Sequence, residues 1–349
     1  MDFVPPRCPN FGCSHHTAPV AGFYQRRGSY RPKCRAEPVP RFRCRRCGKG
    51  FSRQTFRADY RDHRPDCNGL LFQLLVSGVG LRQAGRCTGL TVHAVQHKFR
   101  KLGGLLRRLN RNLLPRLPDQ RCYLLDEIET FEHRSICPVT VPVLIEKTSK
   151  LIVAVGAASI RRRSRRGSRR QRWLDRHEAV HGRRRDHGKQ CVWRVFRRWQ
   201  RLLDGQRARL ITDKKALYAS LCRSLLGSQV EHFTWSGRLL RTTYNPLFPI
   251  NLTDAMLRDN NGRLRRRSWL VTKKTRYLRL QLELFVAYRN WHRLRTNQDP
   301  CHQTPGVLLG LAPRRLEVAE LLAWRQDWRN RSIHPASVTG HETVQARVA

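Results

Sequence analysis

Apolar residues recur at helical spacing from Gly69 onward, first in "LLFQLLVSG", then in "GLRQAGRCTGL", then in "TVHAVQHKFRKLGG". Gly89 separates the last two stretches and Thr91 stands where an N-cap is needed, so the pattern predicts a helix-turn-helix over residues 68–106. Its second helix would present His93, Gln96, His97 and Arg100 on the face that enters a major groove, although a plain three-helix packing unit gives the same pattern. Residues 107–121, with two prolines and no clean period, read as a linker.

Behind the linker the period shortens. "CYLLDEIETF", "VTVPVLIEK" and "LIVAVGAAS" are β-rich runs separated by turn-like stretches, which predicts a three-strand meander. "CVWRVFRRWQRLLDG" then spaces Val192, Val195, Phe196, Trp199, Leu202 and Leu203 as a helix with its aromatics in the core. "ARLITDKKALYASLCRSLLG" gives a strand ending at Asp213 and a further helix, and "QVEHFTWSG" gives a fifth strand. The predicted order is βββαβαβ followed by a helix, within a core spanning 122–295. "YLRLQLELFVAYRNWH" reads as its amphipathic closing helix, 296–336 as a helical appendage and 337–349 as a disordered tail.

Charge narrows the partner. Seventy Lys and Arg stand against 25 Asp and Glu, a formal charge of +45, and self-repulsion on that scale is best offset by a polyanion, above all nucleic acid. "RRRSRRGSRRQR" concentrates eight arginines in twelve residues, so Arg161, Arg162, Arg163, Arg165 and Arg166 are expected to contact phosphates from a basic insertion over 160–190. A hydrophobic content of 40% predicts a folded chain. Neither a leader-like N-terminus nor a membrane-length apolar run is present, which predicts a soluble, unsecreted protein, cytoplasmic and associated with the nucleoid.

Twelve cysteines in such a setting point to metal rather than disulfides. "CPNFGC" and "CRRCGKGFS" place Cys8, Cys13, Cys44 and Cys47 as two pairs about thirty residues apart, the spacing of a zinc ribbon over 1–67. Cys34, His15 and His16 lack the paired spacing, and Cys67 reads as a lone thiol.

Against this positive background "LLDEIETF" is conspicuous. In a sheet of the predicted order the ends of the first and fourth strands lie side by side, the layout of ribonuclease-H-like nucleotidyl transferases. Asp126 and Asp213 would then share a pair of divalent cations, as phosphodiester chemistry requires. Strand alternation puts Glu127 and Glu129 on the opposite face, where arginine pairing is expected. Two aspartates at strand ends are equally what strand-end or helix-cap carboxylates look like.

The assembled pattern, "CPNFGC", "RFRCRRCGKGFSRQTFRADYRDHRP", "LDEIETFEH", "ITDKKALY", "NPLFPINLTDAMLRDNNGRLRRRSW", "TKK" and "VAYRNWHR", resembles the DDE transposases of insertion sequences, in particular the insertion sequence one family. The resemblance runs from the ribbon to about Asn290. It implies an α+β multidomain protein: a zinc ribbon and helix-turn-helix that bind the terminal repeats of double-stranded DNA, then a ribonuclease-H-like core with a mixed five-stranded sheet. It also implies catalysis with two Mg²⁺ ions beside structural Zn²⁺, and a homo-oligomer on DNA.

By that resemblance Asp126 and Asp213 are the first two catalytic acids, and Asn251 stands where the family has its glutamate. Asp254, three residues on and on the same helical side, supplies the missing charge, or Asn251 ligates through its amide oxygen, or the copy has decayed. Arg258, Arg263, Arg265, Arg266, Arg267, Lys273 and Lys274 would line the entrance for DNA. A non-enzymatic zinc-ribbon regulator and an RNA-binding zinc protein are the rival readings.

Overall fold

Phe42 and Cys44 turn inward along a strand on which Arg41 and Arg43 are exposed, and this alternation gives the first sheet its buried face. The computed structural model describes residues 3–323, apart from 35, 58, 238, 239, 241, 266–268 and 298–300. A single helical turn, α1 (Ser14–Thr17), precedes an antiparallel sheet of β1 (Tyr24–Tyr30), β2 (Val39–Cys44) and β3 (Gly50–Ser52). Phe23, Phe42, Phe51 and Phe56 pack with Cys8, Cys13 and Cys44 into a small core of its own.

Three helices follow: α2 (Asn68–Val76), α3 (Leu81–Thr88) and α4 (Val92–Leu113). Gly89 takes the left-handed conformation that ends α3, and the Thr91 hydroxyl accepts from Ala94 N at 3.3 Å to start α4. The last helix continues seven residues into the stretch read as a linker. Leu105, Leu106, Leu109 and Leu113 prolong its buried stripe, and Gly103 causes no break because its bare backbone is where Leu280 packs.

The large sheet comprises β4 (Arg121–Phe131), β5 (Pro138–Glu146), β6 (Ile152–Val155), β7 (Ala158–Ser159), β8 (Ala208–Thr212) and β9 (Val230–Thr234). Its order is β6-β5-β4-β8-β9, with β4, β5 and β6 antiparallel and β8 and β9 parallel to β4. The molecule is α+β with a mixed sheet. One correction to the five-strand expectation concerns "LIVAVGAAS", which is split: β6 and the two-residue β7 both pair with β5, interrupted around Gly156. A Cβ at Gly156 would lie 2.6 Å from Cys191 Sγ, so helix packing sets the break.

The helices after the meander are α5 (Arg169–His181), α6 (Gly188–Leu203), α7 (Ala216–Leu225), α8 (Phe248–Asn260), α9 (Thr275–Ala287), α10 (Pro305–Leu308) and α11 (Val318–Ala323). Tyr123 and Leu125 face α6 and α7, and the opposite face, through Leu124 and Ile128, meets Ile250 and Leu257 of α8 and Leu278, Leu282 and Phe285 of α9. The other flank of α9 packs on α2 and α4, so the helical unit shares one hydrophobic core with the sheet.

"YRNWH" has a structural role in this arrangement. Asn290 exchanges two 2.9 Å hydrogen bonds with the backbone of Ile152 at the sheet edge, and the Trp291 indole donates to Asn110 of α4. Arg289, fully buried, donates to the carbonyls of Leu294 and Arg295. The tail expected to be disordered, and Arg266 and Arg267 at the expected DNA entrance, lie outside the described residues.

Candidate functional site

Two tight turns carry the cysteine pairs. Cys44 O accepts from Gly48 N at 3.0 Å, with Gly48 in the left-handed region, and Cys13 N donates to Asn10 O at 3.1 Å. The sulfur atoms of Cys8, Cys13, Cys44 and Cys47 all lie within 4.8 Å of one another. Cys8 and Cys47 are 3.5 Å apart, and Cys13 and Cys44 3.9 Å. A tetrahedron with Zn–S of about 2.3 Å has edges of about 3.8 Å, so the quartet has the dimensions of a structural zinc site. Burial pushes the Cys8 thiol up to about 12, while a hydrogen bond from the Lys49 backbone leads those that draw Cys47 down to about 6. His16 Nδ1 is engaged by Cys8 O at 2.8 Å, and Cys34 Sγ lies against Asp62 O.

The register of the large sheet decides where the aspartates stand. Leu125 is paired with Thr212 in the parallel β4–β8 ladder, so Asp126, still within β4, and Asp213, the first residue after β8, stand at the same level on neighbouring strands. Asp126 shares its face with Leu124 and Ile128, and Asp213 with Ile211, whose partner is Leu124. Both aspartates are half-buried. Asp126 Oδ1 accepts from Glu127 N at 2.7 Å and Asp213 Oδ1 from Lys215 N at 3.1 Å.

Behind them, on the other face, Glu127 is held by the Lys215 ammonium, the Thr140 hydroxyl and the Tyr218 hydroxyl, the last at 2.7 Å. Burial raises the Tyr218 hydroxyl far above its usual range, and the charges of Glu127, Asp213 and Asp126 add to this. Glu127 thus pairs with a lysine rather than the expected arginine, whereas Glu129 does pair with Arg162.

Helix α8 packs across β4 through Ile250, Thr253 and Leu257. Asn251 and Asp254 are half-buried one position along from Ile250 and Thr253, and Asp254 Oδ1 is sealed from solvent. Past Asp126, β4 outruns β8, and the chain after α8 lies beside it: Thr130 Oγ1 donates to Arg263 O, and Glu132 bridges to Thr272. Arg265, Lys273 and Lys274 of this segment are all exposed. Phe233 and Trp235 were not anticipated by sequence. They are 47% and 43% exposed on the edge strand, and Phe233 is in register with Ile211 on the face of Asp213. Alternation in "VEHFTW" carried that signal.

The four polar residues assigned to a groove-facing surface, His93, Gln96, His97 and Arg100, are all exposed on α4. Lys98 between them is buried, its ammonium 2.6 Å from both oxygens of Asp62 and 2.8 Å from Asn68 Oδ1. In the arginine run, Arg163, Arg165 and Arg166 are exposed. Arg161 is committed elsewhere, forked onto Glu178 at 2.7 and 2.8 Å, and with the Ser168 cap this fork ties the run to helix α5.

No family model and no curated protein matches the chain. Among solved structures it is similar to a chain in the cryo-electron microscopy structure of the simian T-cell lymphotropic virus intasome in complex with PP2A regulatory subunit B56 gamma. The identity is 15%, over 72% of this chain and 74% of that one, with a TM-score of 0.27. An overlap that poor carries no weight for shared fold or activity.

Proposed function

We propose that the chain is a DNA transposase of the DDE type, which cuts phosphodiester bonds at the ends of a DNA element and joins the freed 3′-hydroxyl to target DNA. The observation that carries this reading is the register: Asp126 within β4 and Asp213 just past β8 stand at one level and, by strand alternation, on one face, in a sheet ordered as in ribonuclease-H-like enzymes. Asp126, Asp213 and Asp254 offer the oxygen donors that hard divalent cations take, and α8 packs on the same face of the sheet; among the described residues, however, the four cysteines are the one group of three or more that stands within metal-holding distance. Asp126 and Asp213, with Asp254 or Asn251, would hold Mg²⁺, which when bound activates the attacking oxygen and stabilises the leaving one. The protein's own contribution is placement. Lys215 fixes Asp213 through its backbone N–H and Glu127 through its side chain, tying the end of β8 to the middle of β4.

In this reading the four-cysteine unit is a zinc ribbon, and α2–α4 form a helix-turn-helix. His93, Gln96, His97 and Arg100 read the terminal repeats, while Arg163, Arg165, Arg166, Arg265, Lys273 and Lys274 hold phosphates without sequence information. The test is Mg²⁺-dependent nicking of supercoiled plasmid by the full chain. Asp126→Asn and Asp213→Asn should abolish nicking while duplex affinity stays within about threefold, because binding lies in other modules. Nicking that survives both substitutions refutes the assignment.

A second reading, a zinc-ribbon DNA-binding regulator without activity, is favoured by the neutral amide of Asn251. Asn251→Glu separates the two: a charged ligand holds Mg²⁺ more tightly, so the substitution should raise nicking in an enzyme and leave a pure binder inert. Asp254→Ala tells whether Asp254 is the displaced third acid, in which case it is as inactive as Asp126→Asn.

A further inference from the structure

On the sheet edge away from β8 and β9, a cavity of about 560 Å³ opens between α4, α6 and α9, floored by Ala154, Gly156 and Ala157. Helix α4 lines it with Arg100, Arg107 and Arg111, at i, i+7 and i+11. Helix α6 adds Arg194 and Arg198, four apart, and α9 adds Arg276 and Arg279, three apart. Each helix therefore turns two or three of its arginines to the side that faces one cavity, although like charges three or four residues apart destabilise a helix. Glu283 is the sole acid in the lining, and Asn110 Nδ2 already donates to it at 2.9 Å.

Among the described residues, none of the seven guanidiniums forms an ion pair with a carboxylate, which leaves their charge uncompensated by the protein. Two of the seven are also pre-aimed. Arg198 Nε donates to Val153 O at 3.1 Å and Arg279 Nε to Ala157 O at 2.8 Å, which orients both head groups by backbone carbonyls. Low-dielectric walls focus the field of such a cluster into the concavity, and planar guanidiniums match phosphoryl oxygens in pairs. The volume lies in the range of ligand pockets rather than of packing defects.

We propose that this cavity is a binding site for closely spaced phosphoryl groups, separate from the Asp126–Asp213 site. Such groups occur in a free polyphosphate and in a nucleic-acid backbone, and Arg100, shared with the exposed face of α4, would lead a backbone inward.

The test uses the full chain with sodium tripolyphosphate, followed by calorimetry at about physiological ionic strength. The cavity variant is Arg107→Gln, Arg194→Gln and Arg276→Gln combined, all exposed positions that should leave the fold intact. A control, Arg116→Gln, Arg207→Gln and Arg223→Gln combined, removes the same charge outside the cavity. Wild type and control should bind one tripolyphosphate, and the cavity variant should bind at least about tenfold more weakly, the loss of one or two charge-assisted bonds. Asp126→Asn should bind as wild type does, so the result does not depend on strand cleavage. A random 20-base-pair duplex identifies the source. If the backbone fills the cavity, tripolyphosphate displaces the duplex and the cavity variant loses duplex affinity beyond the control. If a free polyphosphate is the ligand, cavity variant and control bind the duplex equally. Equal tripolyphosphate binding by cavity variant and control overturns the proposal.

Discussion

Lys98 and Asp62 show how much one side chain can decide. Burial by itself would raise the Asp62 carboxyl, but hydrogen bonds from Lys98, Asn68 and the Arg64 backbone, with the ammonium charge, bring it below its ordinary value. A depressed folded-state value means the pair stabilises the fold above the ordinary carboxylate range and loses that contribution as pH falls through the folded value. Lys98→Met strands a buried carboxylate and should cost about 3 kcal/mol at neutral pH. Denaturant melts of the two proteins at pH 7 and near pH 3 check this: the gap should narrow in acid. A gap independent of pH would make the loss one of packing alone. Sequence offered no hint of the pair, because a lysine in "QHKFRK" reads as exposed and its partner lies 36 residues away.

At the scale of elements, the cysteine unit is the piece whose existence is chemical. Its aromatic core is small, and the antiparallel strands β1–β3 cannot be expected to hold without a crosslink. Cys44→Ser should reduce zinc content from one per chain to below half, measured by metal analysis after dialysis, and chelator should melt the strands of the wild type. Unchanged zinc in that variant would mean that the quartet is not the site. Here sequence carried nearly everything, since ligand spacing within each pair is local. For Arg161–Arg172 it carried composition alone: Glu178, one element away, removes Arg161 from the surface, and helix α5 starts inside a run that reads as unstructured.

On the whole molecule the helices α2–α4 and the large sheet share one hydrophobic core and should unfold together, because α9 packs on both and Asn290 and Trp291 join the sheet edge to α4. Gly103 is a close approach in that union, since an added Cβ would sit 2.8 Å from Leu280 Cβ. Gly103→Val should destabilise by about 1–3 kcal/mol through overpacking. Calorimetry should show helices and sheet lowered together in one transition, and a helical transition split from that of the sheet would show independent domains.

Period and spacing in the sequence by themselves determined the helices α2–α4, the strands and helices after Arg121 apart from α5 and the split of β6 from β7, the paired cysteines, and the odd parity of Asp126 against Glu127. These depend on interactions within a few residues, where 3.6-fold and twofold repeats leave a direct imprint. Tertiary structure alone decided that Asp213 arrives level with Asp126, that Lys215 rather than an arginine holds Glu127, that Gly156 splits the edge strand, and that seven arginines of three helices face one cavity. Each of these turns on which distant segments become neighbours and in what register, and a one-residue slip of β8 along β4 would send the Asp213 side chain to the other face.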